Sequence, residues 1–335
     1  MDTIAQKLRS AARILVLTHE HPDGDAIGSA VALTHILRTL GLPTTTVCAD
    51  AVPEPFRFLT EGMVFENAFA PTAGDVVVTL DCGDLKRTGF AQSLVAFKRG
   101  GGTLIHIDHH PKSDLSKLAT HNLVDSTASS TAEVLWQLFG TLGFERVPKE
   151  VATALLCGVF TDTGGFRHSN TSPHSFILGA TLLSCGARLK WIRENVSMHK
   201  SVSALKLWGI AFERIHRHRL AIVSSVVTRE DLETTGATDE DIAGIVNMLS
   251  AIPDTRIAMM IAEQQDYVLK ASMRTEDEHV DVGAIATLFG GGGHKKAAGF
   301  TLPGRIIADD GHWKIELDSP QMYTFQGTIL QDVVV

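Results

Sequence analysis

Between Ala12 and Asp125, short apolar runs rich in β-branched residues alternate with segments long enough to form helices. The apolar runs are RILVLTH, TTTVCA, DVVVTLDC, TLIHID and NLV, and the helical segments include AIGSAVALTHILRTLG. Strands joined through helices pair in parallel, because each crossover returns the chain to the same end of the sheet. The alternation therefore predicts an N-terminal parallel α/β sheet.

A second, smaller α/β domain is predicted in the C-terminal part of the chain. Helical patterns dominate from Ser129 to about His218, and apolar runs then return as RLAIVSSVV, TRIAMMIAEQ and YVLKASMR. A length of 335 residues suits two domains. We expect the first domain over residues 1–186, a helical linker over residues 187–209 and the second domain over residues 210–335. The role of residues 303–335 stays open.

Composition limits the kinds of function that are plausible. With 44% hydrophobic residues the chain can bury a core, which excludes a disordered or collagen-like protein. A net charge of −8 argues against broad electrostatic capture of nucleic acid, although it allows a local basic patch. Any nucleic-acid ligand should therefore be small, and long duplexes are not expected.

Nothing in the sequence predicts a membrane span or a signal peptide. The apolar run nearest the N-terminus is only ILVL, and the four cysteines lack CxxC spacing and lie among apolar residues. Such cysteines are typical of buried, reduced thiols. We expect a cytoplasmic protein.

Acidic and imidazole side chains stand where four of the predicted elements end. They are His19, Asp23 and Asp25 after one strand, Asp81 after a second, Asp108, His109 and His110 after a third, and Asp162 after a buried helix. The carboxyl ends of parallel strands meet at one edge of a sheet, where ligands bind. Helix capping explains two neighbouring aspartates such as Asp23 and Asp25, and solvent contact explains single residues at strand ends. Neither explains why acidic and imidazole residues are enriched at one edge of the sheet. Nitrogen and oxygen ligands without cysteine predict two ions, manganese or else magnesium, rather than structural zinc.

A glycine run near the C-terminus, GGGGHKKAAGF, is the second candidate site. Gly290–Gly293 would let backbone N–H groups approach an anion, and His294, Lys295 and Lys296 follow directly. This pattern predicts a phosphate-binding loop. The alternative is a flexible turn before the strand AAGFTL.

The motifs HPDGDAIGS, LDCGD, DHH and FTDTGGF resemble, in order and spacing, the four motifs of the DHH phosphoesterase family. GGGGHKKAAGF resembles the signature of the C-terminal domain associated with that family. Within the family, the chain is most similar to the nanoRNase type, which combines oligoribonuclease and 3′-phosphoadenosine 5′-phosphate (pAp) phosphatase activities. The resemblance implies an active site in the cleft between the two domains.

The resemblance also implies roles for individual residues. His19, Asp23 and Asp81 would hold one ion, and the second ion would be held by Asp25, Asp81, His109 and Asp162. Asp81 would then bridge the two ions. The catalytic group would be Asp108, His109 and His110, in which Asp108 and His110 orient His109 or contact the phosphate. The substrate would be held by Arg274, Ser272, Gly291, Gly292, Gly293 and His294.

The function implied is hydrolysis of short oligoribonucleotides to mononucleotides, and of pAp to AMP, by a hydroxide that two metal ions activate. A cyclic di-AMP or pApA phosphodiesterase is the alternative. An inactive nucleotide-binding regulator is disfavoured because every candidate ligand is present. A pyrophosphatase is disfavoured because its C-terminal domain differs. The expected partners are short RNA and small nucleotides, and a homodimer stays open.

Overall fold

The computed structural model describes residues 1–111, 113–197, 200–309 and 312–317. The chain divides into two compact units, Met1–His199 and Lys200–Val335. The predicted linker, residues 187–209, spans this division. In the part of the chain that is described, no helix has the length and apolar character needed to cross a membrane.

The first unit is built around a six-stranded parallel sheet. Its strands are β1 (Arg13–Thr18), β2 (Thr44–Val47), β3 (Phe65–Glu66), β4 (Asp75–Leu80), β5 (Thr103–Asp108) and β6 (His121–Val124). Its helices are α1 (Asp2–Arg9), α2 (Gly24–Thr39), α3 (Ala91–Arg99), α4 (Asp114–Leu118), α5 (Thr131–Thr141), α6 (Lys149–Asp162), α7 (Pro173–Ser184) and α8 (Leu189–Ile192). The strand order is β3-β2-β1-β4-β5-β6.

Both faces of this sheet are buried, as the continuous apolar strands require. In β1, Ile14 and Val16 belong to the core that includes α2, α5 and α6. The alternate residues Leu15 and Leu17 pack instead with Leu94 of α3 on the opposite face. Side chains of a strand point to opposite faces in turn, so one strand supplies both cores.

The strand order reverses between β1 and β4. The chain moves outward from β1 through β2 and β3, and then places β4 on the other side of β1. Such a reversal opens a crevice at the carboxyl ends of the two strands, where ligands bind in sheets of this kind. The last residues of the two strands, Thr18 and Leu80, are register partners. Residues 19 and 81 therefore begin at the mouth of the crevice.

The second unit contains a seven-stranded mixed sheet. Its strands are β7 (His216–Arg217), β8 (Ile222–Val227), β9 (Ile257–Glu263), β10 (Val268–Arg274), β11 (Gly292–His294), β12 (Ala297–Asp309) and β13 (His312–Leu317). Its helices are α9 (Val202–Glu213), α10 (Arg229–Thr235), α11 (Ile245–Ser250) and α12 (Val282–Leu288). The strand order is β11-β12-β10-β9-β8-β7, with β13 paired to β12.

Helices contact both faces of the second sheet. Met260 of β9 packs with residues of α9, α10 and α11. Met273 of β10 and Phe300 of β12 pack with α12 on the other face. The predicted α/β fold class, with a parallel sheet first and a smaller α/β unit after it, is confirmed.

Candidate metal centre and substrate surface

The predicted ligands come together at the carboxyl edge of the first sheet. His19 follows β1, Asp81 follows β4, and Asp108 ends β5, while Asp162 ends α6. Three groups form in which one ligand atom from each residue lies within 4.8 Å of the others. The groups are His19, Asp23 and Asp81; Asp25, His109 and Asp162; and Asp81, Asp108, His109 and His110.

Asp81 lies at the centre of the cluster. Its Oδ2 is 3.7 Å from Nε2 of His19, and its Oδ1 is 3.6 Å from Nε2 of His109. The two oxygens of one carboxylate thus face two different imidazoles. The residue has a φ of +58°, a left-handed conformation that costs a residue other than glycine about 1 kcal/mol or more. Its bridging of two ions stays a prediction, and this geometry is compatible with it.

The His19 ring presents a free nitrogen to the cluster. Nδ1 lies 2.7 Å from the carbonyl oxygen of Glu20, and because a carbonyl only accepts, Nδ1 must carry the proton. Nε2 is then unprotonated, and among the described residues it is buried without a hydrogen-bond partner. Burial also lowers the pKa of His19. A neutral imidazole with its other nitrogen bonded to a carbonyl is the state in which histidine binds metals.

Asp25 is fully buried and caps a helix distant in sequence. Its Oδ2 accepts from the backbone N–H of Thr131 at 2.6 Å, and its Oδ1 accepts from that of Ala132 at 3.0 Å. Thr131 and Ala132 are the first two residues of α5, whose N-terminus favours a negative charge. Burial nevertheless raises the pKa of Asp25 to about 7, with Asp23 adding to the shift.

Crowding of carboxylates affects the other ligands as well. Burial, followed by the charge of Asp25, raises the pKa of Asp81 and of Asp162 far above the usual range. Burial lowers the pKa of His109 to about 4, so its ring is neutral at pH 7. Buried carboxylates that repel one another and neutral imidazoles with free nitrogens both suit a divalent cation. The residues present therefore fit the predicted metal.

Asp108 holds His110 in place. Its Oδ1 lies 2.8 Å from Nδ1 of His110 and accepts from the His110 backbone N–H, while its Oδ2 accepts from the backbone N–H of Gly83. Burial alone would raise the pKa of Asp108, but these bonds to His110 outweigh it and hold the pKa well below its usual range. The side chain of His109 is instead 3.2 Å from Oδ2 of Asp162. The described residues include no hydrogen bond between Asp108 and His109, and orientation of His109 by Asp108 stays a prediction.

Thr131 bonds to two predicted ligands, and sequence analysis missed it. Its backbone N–H bonds Asp25, and its hydroxyl donates to Oδ1 of Asp81 at 3.0 Å. The sequence SSTAE does signal a helix start, and Ser130 is indeed the N-cap of α5. Nothing local signals a bond to Asp25, which is 106 residues away.

Comparison with known proteins identifies the family of the chain. Residues 13–159 match the N-terminal domain of the DHH family, and residues 221–311 match the DHHA1 domain. The bifunctional oligoribonuclease and PAP phosphatase NrnA of Thermus thermophilus is 31% identical over 306 residues, covering 91% of this chain and 89% of that protein. The chain belongs to the DHH family.

A second relative and one solved structure extend the comparison. The bifunctional oligoribonuclease and PAP phosphatase NrnA of Bacillus subtilis is 26% identical, covering 88% of this chain and 93% of that protein. The crystal structure of an exopolyphosphatase-related protein from Bacteroides fragilis superimposes with a TM-score of 0.81 at 25% identity, covering 89% of each chain. The resemblance predicted from the motifs is thus confirmed over most of the chain.

The DHHA1 part places four predicted substrate residues on one face of the second sheet. Across β10, β12 and β11, one row of register partners is Arg274, Ala297 and His294, and a second row is Ser272, Gly299 and Gly292. Register partners point to the same face, and so do residues two apart on a strand. The small residues Ala297 and Gly299 therefore separate Arg274 from His294 and Ser272 from Gly292. Asn247 of α11 accepts a hydrogen bond from Nε of Arg274 at 3.1 Å.

The glycine run of the DHHA1 motif combines structural and open positions. A Cβ at Gly291 would overlap the carbonyl oxygen of Gly299, and one at Gly293 would overlap that of Ala297. Gly290 and Gly293 also have positive φ angles, whereas a Cβ at Gly292 would meet nothing within 4 Å. The run is a turn leading into β11 rather than a continuous loop. Gly292 is the position in the run that neither packing nor a positive φ explains.

Proposed function

We propose that this protein is a metal-dependent phosphoesterase that hydrolyses short oligoribonucleotides to mononucleotides and pAp to AMP. The observation that carries the proposal is the three overlapping ligand groups at the sheet reversal of a DHH-family chain. The relatives from T. thermophilus and B. subtilis are named for the same two activities.

The proposed cofactor is a pair of divalent ions, manganese first and magnesium second. His19, Asp23 and Asp81 would hold one, and Asp25, Asp81, His109 and Asp162 the other. When bound, such ions supply positive charge at the phosphate and lower the pKa of water. Three features of the chain prepare these ligands for ions. Hydrogen bonds from α5 hold Asp25, and burial keeps His109 neutral. The Glu20 carbonyl bonds Nδ1 of His19, so that its unprotonated nitrogen faces Asp81.

We further propose that the rows of Arg274 and Ser272 on the second sheet bind phosphate or ribose of the substrate. Arg274 is half-buried and oriented by Asn247, which suits a charged hydrogen bond to phosphate. Gly292 exposes its backbone, and His294 is exposed on the same face. With a net charge of −8, the chain offers few groups to a longer strand.

All four cysteines are free, and Cys48, Cys82 and Cys157 are buried. Unpaired cysteines are typical of a reducing compartment. We therefore propose a cytoplasmic location.

A substrate panel with manganese tests the proposal. It contains pAp, pApA, RNA of two to five nucleotides, a long single strand at equal concentration of ends, cyclic di-AMP and pyrophosphate. We expect rapid hydrolysis of pAp and short RNA, a steep fall with length, and complete loss in excess chelator. Asp81→Asn protein purified in parallel controls for contaminating nuclease.

Four outcomes would contradict the proposal. Equal rates on short and long RNA would indicate a processive exonuclease. Turnover confined to pApA or cyclic di-AMP would favour the alternative phosphodiesterase, and preferred release from pyrophosphate would indicate a pyrophosphatase. Full activity in excess chelator would exclude a metal-dependent reaction.

A further inference from the structure

Arg87 lies beside the metal centre without acting as one of its ligands. It belongs to the short helical turn Lys86–Thr88 that follows β4. Its Nη2 is 3.4 Å from Nδ1 of His19, and a Cβ at Gly83 would be 3.2 Å from its Nη1. The guanidinium of Arg87 therefore lies next to His19, a predicted metal ligand. It also lies next to Gly83, whose backbone N–H donates a hydrogen bond to Asp108.

Among the described residues, the side-chain contact of Arg87 is with His19, and this contact gives the guanidinium no acceptor. Nδ1 of His19 carries a proton, because it is 2.7 Å from the Glu20 carbonyl. A guanidinium only donates, so Nη2 faces another donor. Among the described residues, none of the ion pairs includes Arg87. Its forked donors are available to a further group.

The backbone of Arg87 is fixed on both sides. Its carbonyl accepts from the N–H of Glu20 at 2.8 Å, and its own N–H donates to Oδ1 of Asp84 at 2.9 Å. Gly83, with a φ of +66°, brings the chain close to the guanidinium where a side chain would be crowded. The side chain is half-buried. Only the side chain of Arg87 has to become ordered when a ligand binds.

The charges around Arg87 determine which kind of ligand it can bind. In the metal-free protein the arginine partly offsets the carboxylates, and its charge acts on Asp162 and His19. Divalent ions would take over that role and repel the guanidinium. An anion with several oxygens would satisfy both the ions and the arginine. Phosphate matches the fork of a guanidinium in geometry as well as charge.

We propose that Arg87 binds a non-bridging oxygen of the phosphate that is hydrolysed at the metal centre. This assignment rests on the proposed function. It gives the first unit a substrate contact of its own, in addition to the ligands. Lysine would restore the charge but not the two-donor geometry.

The test compares Arg87→Gln and Arg87→Lys with the matched control Lys86→Gln. Lys86 is exposed and adjacent, so Lys86→Gln removes the same charge from the same turn. The readouts are kcat and KM for pAp and an RNA dinucleotide, the manganese Kd from calorimetry, and the Kd of inorganic phosphate for the manganese-loaded protein. We expect Arg87→Gln to lower kcat/KM about 100-fold, the effect typical of one lost donor to a developing charge. Phosphate binding should weaken, the manganese Kd should change less than about threefold, and Arg87→Lys should recover part of the loss.

Each result supports or overturns the assignment. If Arg87→Gln matches Lys86→Gln in kcat/KM and phosphate binding, the contact does not exist. If Arg87→Gln weakens manganese binding as much as it lowers activity, Arg87 supports the metal ligands instead. If wild-type protein hydrolyses no nucleotide, the proposed function fails, while phosphate binding still tests Arg87 separately.

Discussion

The candidate metal centre of the first unit and the candidate substrate surface of the second are built from different kinds of residue. The candidate metal centre brings acidic side chains together, most of them buried, and burial followed by the neighbouring carboxylates raises the pKa values of Asp81 and Asp162. The substrate surface depends on small or absent side chains, with Ala297, Gly299 and Gly292 lying between or beside the longer ones. The first should therefore depend on a cation, and the second on backbone shape.

Secondary structure supports each region differently. In the first unit the predicted ligands lie at strand ends and at the N-terminus of α5, so their positions depend on helix and strand termini. In the second unit the rows consist of residues within three paired strands, and the row of Arg274, Ala297 and His294 lies at the ends of those strands. Substitutions should accordingly separate into those that affect metal binding and those that affect substrate binding or folding.

The largest effect is expected at the centre of the metal site. Asp81→Asn should lower kcat by more than about 100-fold, beyond the 10- to 100-fold loss typical of residues that only support ligands. Elemental analysis should show reduced manganese in the same variant. Asp2→Asn, an exposed substitution of the same kind in α1, is the control and should behave as wild type. Near-normal kcat in Asp81→Asn would refute the ligand assignment.

Stability should separate two neighbouring glycines of the second unit. Gly291→Ala should lower the free energy of unfolding by about 3 kcal/mol, because its Cβ would overlap the Gly299 carbonyl oxygen. Gly292→Ala should fold normally, since its Cβ meets nothing within 4 Å, and should instead raise KM. Urea denaturation and steady-state kinetics measure the two effects. Equal destabilisation of both variants would contradict the packing argument.

Thr131 allows the support of the metal ligands to be tested. Thr131→Val keeps the N–H that bonds Asp25 but removes the hydroxyl that bonds Asp81. Manganese affinity measured by calorimetry should fall about 10- to 100-fold. Thr131→Ser retains the hydroxyl and should bind manganese within about threefold of wild type. Unchanged manganese affinity in Thr131→Val would show that the Thr131 hydroxyl does not support metal binding.

A smaller effect is expected at the substrate surface. Arg274→Ala should raise KM for pAp about tenfold through loss of a charged hydrogen bond, with manganese content unchanged. Lys206→Ala, which removes an exposed positive charge from α9, is the control. Loss of metal in Arg274→Ala would contradict the division between the two regions.

The smallest effect is expected on stability, at the buried carboxylate of Asp75, which has Arg13 as a cationic partner. Arg13 holds the pKa of Asp75 at about 2, whereas Asp25, without such a partner, is raised to about 7. The Arg13–Asp75 pair should therefore stabilise the fold fully above about pH 4, the usual pKa of an aspartate, and lose its effect as pH falls toward 2. Urea denaturation should show Asp75→Asn to be about 1 kcal/mol less stable at pH 5, and the difference should shrink at pH 2.5. A gap that grows on acidification would refute this pairing.

Much of the fold and the positions of the candidate ligands could be predicted from the sequence. Alternation of apolar runs and helical segments is a local signal, and it correctly indicated the parallel sheet of the first unit. Because parallel strands end at one edge, the positions of His19, Asp81 and Asp108 along the chain were enough to expect them together. Capping by Asp23 was also foreseen as an alternative, and its Oδ1 does accept from the N–H groups of Asp25 and Ala26.

The bonds that hold those ligands were decided only by the tertiary structure. Thr131 meets Asp81 and Asp25 because α5 packs with its N-terminus at the crevice, and no local pattern encodes that contact. The same holds for Arg87, whose position depends on a bond between its carbonyl and the loop after β1. The physical reason is the distance along the chain over which each feature is determined. Periodicity and strand ends are set by neighbouring residues, whereas hydrogen bonds between distant elements depend on how helices pack against the sheet.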